Sequence, residues 1–245
     1  MHSETDAPKH PKSLLVWGLP LAAGLLPAVA AMAAFVLSVH NGSISPCNPF
    51  FDGCVSISRA ARHDLANLVF RGLVLPGATL QALTWILCAG WLERISSANP
   101  SEPRRPMTIA FLGVLAGLFF VLYGTFLGSE GETYQWLRRY GINFYFGLTY
   151  LCMLLTSAGV FRAAQRGKLQ LPWQLHRALG VVCLTLLMFG VINLVAKALW
   201  GDDAMADRLE NNLEWLAGSL FTLFFAMLSF LWRYTRFRLY PATED

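Results

Sequence analysis

The sequence is short of charge: 14% of its 245 residues are Asp, Glu, Lys or Arg, against roughly 25% in soluble domains. Hydrophobic residues make up 55%, and the mean hydropathy is +0.46. That balance excludes a disordered chain and a nucleic-acid-binding domain, and it argues against a soluble enzyme. Five cysteines are too few for a disulfide scaffold. No CxxC or Cys/His metal spacing occurs, so neither a metal nor a cofactor is expected. The histidines, His2, His10, His40, His63 and His176, lie near or beyond the ends of apolar stretches, which argues against axial haem ligation between facing helices. Nucleophile-elbow, zinc-protease, Walker and dinucleotide motifs are missing. Acids are missing from the centres of the apolar stretches and no inverted repeat stands out, which leaves a transporter the weakest functional class.

What the chain has is long apolar runs. Those free of Lys, Arg, Asp and Glu cover 13–51, 72–92, 106–129, 140–161, 178–196 and 215–232. A helix needs about 20 apolar residues to cross a bilayer. The first run therefore holds one span plus a loop, and each of the others holds about one span. Helices are predicted at 14–39, 64–92, 107–128, 141–162, 177–199 and 211–232. The fold class is an all-α membrane protein: a six-transmembrane-helix bundle over 13–232, with tails at 1–12 and 233–245. No alternating ten-residue pattern recurs, so membrane strands are not expected. The apolar core from Leu14 to Val39 is too long for a secretory signal and reads as a retained helix. Gly113 and Gly117 have GxxxG spacing, which fits packing inside the bundle as readily as dimerisation.

With the N-terminus inside, twelve of the nineteen Lys and Arg residues fall on the inner side and seven on the outer. The positive-inside rule then places both termini in the cytoplasm. The inner loops, such as 99–106, are rich in Arg and Pro and need no further role.

The outer side is different. Cys47 and Cys54 flank Pro and Gly turn formers. They are either free thiols or a small disulfide ring; turn chemistry and an oxidising compartment favour the ring, worth about 2–3 kcal/mol. Cys88, Cys152 and Cys183 lie in apolar helices and read as packing residues. Leading into and along the second predicted helix, His63, Asn67 and Arg71 are spaced i, i+4 and i+8 and so share one face. Arg71 either snorkels to the interface or lines a polar cavity. Glu130 is the first charge after the third helix. Arg138 and Arg139 would pair with Glu130 and Glu132 or contact lipid phosphates. Asn143, Asn193, Lys197, Asn211 and Glu214 fall at the same depth on helices 4, 5 and 6.

Gathered by a bundle, these groups would form an outward-facing cavity suited to a phospholipid or glycolipid headgroup. Arg71 and Lys197 would hold phosphate, and Glu130, Glu214 and the amides would order hydroxyls or amines. The plain alternative is an outer rim of paired salt bridges. The competing functional class is a non-catalytic regulator that stabilises another membrane protein.

The runs Ser56-Ile-Ser-Arg59 and Leu68-Val-Phe-Arg71, with Ser129-Glu130 and Leu213-Glu214-Trp215, occur in an order that resembles the FRAG/DRAM/SFK-type six-helix family. That family includes the GPI-anchor lipid-remodelling factor and autophagy modulators. The resemblance implies that Ser56, Ser58, Arg71, Glu130 and Glu214 lie on the non-cytoplasmic side, and it implies lipid remodelling or lipid organisation. Ser56 or Ser58 would be an acyl acceptor only with a base beside it. The remodelling members carry an acid after the glutamate and a histidine a few residues on; here Gly131 and Gln135 stand at those places. The cysteine loop points to a bacterial branch and hence an inner or plasma membrane.

Overall fold

The computed structural model describes residues 14–96, 105–169, 172–201 and 203–239. Its long helices are α1 (Gly18–His40), α3 (Asp64–Ser96), α4 (Arg105–Phe126), α5 (Glu132–Gln165), α6 (Trp173–Trp200) and α7 (Ala204–Tyr234). A single turn, α2 (Ile57–Ala60), precedes α3. All six long helices contain a stretch apolar enough to cross a bilayer. The chain is therefore an integral, multi-pass membrane protein. The predicted tail at 1–12, the loop cation Arg104 and residues 240–245 lie outside the described residues.

Two differences from the sequence reading bear on the site. The segment 132–140 is helical, extending α5 well beyond the predicted start at 141. Its Glu, Gln, Leu and Arg residues are good helix formers, but they are too polar to register as a span. Likewise α7 begins at Ala204 rather than 211, with the Asp203 carboxylate accepting from the Ala204 N–H at 2.7 Å. A short antiparallel pair was also unforeseen. β1 (Leu14–Leu15) lies against β2 (Arg238–Leu239), and two residues per strand carry no legible periodicity.

The bundle core divides by level. Trp85, Trp91, Phe224, Phe225 and Trp232 fill the half near the termini. Ala30, Ala34, Phe35, Phe70 and Trp215 fill the half near the cysteine loop. Cys88, Cys152 and Cys183 are buried free thiols within the first of these clusters.

Small residues let α3 and α4 approach closely. A Cβ on Gly113 would fall 2.1 Å from Trp85 Cβ, and one on Gly117 would fall 2.9 Å from Ala82 Cβ. The GxxxG spacing therefore serves contact within the chain. α6 is the exception to this tight packing: 17% of its most apolar stretch is buried, against 39–44% for the other five spans. Leu179, Val182, Cys183 and Leu186 anchor its first half. Beyond Leu186 only Ala196 is buried.

Candidate functional site

The site is built on a strap. Cys47 and Cys54 are joined in a disulfide, and the chain from Phe51 inside that ring to Ser58 beyond it lies along the first turns of α7. Asn212 Nδ2 donates to Phe51 O at 3.3 Å, Asn211 Nδ2 to Gly53 O at 2.8 Å, and Trp215 Nε1 to Val55 O at 2.9 Å. The Glu214 carboxylate accepts from the backbone N–H groups of Ser58 and Ile57. Phe50 meets the Trp215 ring edge-on at 5.5 Å. Gly53 has φ 58°, and a Cβ there would fall 2.2 Å from Arg208 O, so this close approach needs glycine.

Beside the strap lies a cavity of about 810 Å³ walled by α5, α6 and α7. Ser58, Arg62, Gln135, Arg138, Arg139 and Lys197 line its polar end, near the cysteine loop. Asn143, Asn193, Glu210 and Glu214 add to that end. Farther in, the walls are Phe146, Tyr150, Leu186, Leu187 and Phe221. From Arg139 to Tyr150 the cavity follows α5 for eleven residue steps, about 16 Å at 1.5 Å per residue.

The electrostatics favour an anion. Four cations line the cavity against two acids. One cation is already neutralised, because Lys197 Nζ lies 2.9 Å from Glu210 Oε1. Arg138 Nη1 donates to Ser129 O. Arg62 Nε and Asn193 Oδ1 are buried without a hydrogen-bond partner among the described residues. Neither Arg138 nor Arg139 forms an ion pair with Glu130 or Glu132 there. A narrower, mostly apolar cavity of about 110 Å³ adjoins the first and shares Tyr123, Phe146, Glu214 and Phe221 with it.

The structure brings together Ser58, Asn143, Asn193, Lys197 and Glu214 among the residues singled out from sequence. The others are elsewhere. Ser56 caps α2, its Oγ accepting from Arg59 N–H at 3.1 Å and lying 3.2 Å from Ser58 Oγ. Asn211 belongs to the strap. Asn67 is buried and donates to Ala61 O and Leu127 O, both at 2.9 Å. Arg71 is half-buried on α3 and Glu130 is exposed; neither lines the cavity. The face shared by His63, Asn67 and Arg71 is thus split by α3 packing, with Asn67 turned inward and His63 exposed.

Arg62, Gln135 and Tyr123 were not legible as wall residues. Arg62 belongs to no helix, Gln135 to a segment read as loop, and Tyr123 to an uninterrupted apolar run. Since Asn67 ties two backbone carbonyls, Asn67→Leu is expected to cost about 1 kcal/mol, read as a lower melting temperature in detergent with cavity binding intact.

No curated protein and no solved structure matches the chain. Residues 15–232 match the model of the Frag1/DRAM/Sfk1/Cwh43P N-terminal domain, a match that spans all six long helices. The chain belongs to the Frag1/DRAM/Sfk1 family.

Proposed function

We propose that the cavity binds the phosphate-bearing headgroup of a membrane lipid, with the cysteine-loop end on the non-cytoplasmic side. One observation carries this reading: Arg62, Arg138 and Arg139 all line one end of the cavity, and the Arg62 Nε has no hydrogen-bond partner among the described residues. Guanidinium groups suit phosphate because their donors form a rigid fork. Glu214, oriented by the Ser58 and Ile57 amides, together with Asn143 would accept or donate to hydroxyls or amines of the headgroup. Binding is better supported than remodelling. No histidine lines the cavity among the described residues, the hydrogen-bond neighbour of Ser58 Oγ is the Ser56 hydroxyl, and the Glu214 carboxylate is engaged by the Ser58 and Ile57 backbone amides.

Native mass spectrometry with lipidomics tests this. Wild-type protein should retain an anionic phospholipid, and Arg138→Ala should weaken retention about tenfold or more, the scale of a lost charge-assisted hydrogen bond. Arg71→Ala should retain the lipid as wild type does, because Arg71 lies off the cavity. Equal lipid content in wild type and Arg138→Ala would refute the reading. The bare flank of α6 supports a second reading, a regulator that docks another membrane protein there. A stoichiometric complex that persists in Arg138→Ala would favour it.

A further inference from the structure

The geometry points to a hydrocarbon-chain site in the inner half of the same cavity, between α5 and α6. This rests on the headgroup reading above and deepens it: the bound species is a lipid phosphate whose chain is held by the protein, rather than a phosphate group alone.

The two helices touch low in the bundle, where Tyr150 OH donates to Cys183 O at 3.2 Å and Ser157 Oγ lies 3.5 Å from Cys183 Sγ. Above that point they part. Gly147 on α5 and Gly190 on α6 both line the cavity, and a Cβ on either would meet nothing within 4 Å. Glycine inside a helix costs up to about 1 kcal/mol relative to alanine. Here no protein atom uses the space it leaves. At its far end α6 is held to α7 by the Lys197–Glu210 pair. The helix is thus fixed low against α5 and high against α7, with the stretch between them free.

The chemistry of the walls changes along this gap. The cations and amides sit at one end, whereas Phe146, Leu186, Leu187 and Phe221 face the other. Below Asn143 the gap follows α5 for seven residue steps to Tyr150, about 10 Å, which takes up much of the roughly 15 Å that one leaflet of a hydrocarbon core about 30 Å thick provides. A lipid whose phosphate meets Arg62 and Arg138 would therefore lay one chain down the gap, ending near Tyr150. The exposed side chains of Leu187, Val191 and Leu194 on α6 mark the flank through which a chain would pass from the bilayer.

The test measures binding of glycerol phosphate, short-chain lysophosphatidic acid and long-chain lysophosphatidic acid to the purified full chain in one detergent. The variants are Gly190→Leu and Gly147→Leu. Leucine enters open space at both positions and is a better helix former, so both proteins should melt at or above the wild-type temperature. Wild type should bind more tightly as the chain lengthens, by up to about fourfold per buried methylene. Both variants should weaken long-chain binding at least about tenfold and leave glycerol phosphate binding unchanged. If the affinities are independent of chain length, or the glycine variants bind the long-chain probe as wild type does, the chain site is wrong and the headgroup site stands. If no probe binds wild type, both fall.

Discussion

Gly113→Ala is expected to destabilise the bundle by about 3 kcal/mol, the upper end of the ordinary cost of overpacking. The added methyl would fall 2.1 Å from Trp85 Cβ, 2.4 Å from Cγ and 2.7 Å from Cδ1. Trp85 is fully buried and packs against Phe225 with ring centroids 5.3 Å apart. The clash is with the root of the side chain, so a change of rotamer cannot relieve it. α3 and α4 must separate, and the contact at Gly117 with Ala82 opens with them. Against this, alanine recovers up to about 1 kcal/mol of helix propensity; packing wins. Thermal unfolding in detergent should show a lower midpoint with the oligomeric state unchanged. A variant that melts like wild type but dissociates a dimer would place this glycine face between chains instead.

The membrane spans were legible because each one is a physical requirement on composition. A chain cannot place about 20 residues in hydrocarbon without keeping them apolar, and the charge-free runs mark those stretches directly. The disulfide was legible for a similar reason: Pro and Gly between two near cysteines already favour a tight ring. The site was only half legible. Asn143, Asn193, Lys197 and Glu214 stand out as polar groups at a depth where polarity is costly. Whether such a group faces a cavity or a backbone carbonyl depends on which way its helix is turned. Asn67 and Asn211 look the same in sequence as Asn143, yet both donate to carbonyls, Asn211 to Gly53 O and Asn67 to Ala61 O and Leu127 O. Arg138 was legible as a candidate for lipid phosphate but not as part of a helix, and Gln135 did not register at all, because polar residues start α5 early and a hydropathy pattern ends where hydrocarbon does. The looseness of α6 was invisible altogether. Its apolar content matches that of a buried helix, and apolarity does not distinguish protein neighbours from lipid.

The strap supplies the second large effect. Replacing both Cys47 and Cys54 with serine should cost about 2–3 kcal/mol, the closure entropy of a small ring. It should also weaken binding of an anionic lysolipid about tenfold, or about 1.4 kcal/mol. The coupling is geometric. The disulfide closes the loop at Cys54, the carbonyls of Phe51, Gly53 and Val55 are tied to α7, and the amides of Ile57 and Ser58 then meet the Glu214 carboxylate. Arg62 follows within four residues of Ser58 and lines the cavity. Opening the ring loosens the segment that carries both Ser58 and Arg62, so an effect on stability and an effect on binding should appear together. Trp215→Phe separates them. It deletes one hydrogen bond, to Val55 O, while an aromatic ring remains against Phe35 and Phe50. Its cost should be about 1 kcal/mol, with the lysolipid affinity closer to wild type than in the serine double variant. A serine variant with a lower melting temperature and undiminished affinity would mean that α7 holds Glu214 and the turn before α3 holds Arg62 without help from the ring, and that the ring contributes only to folding.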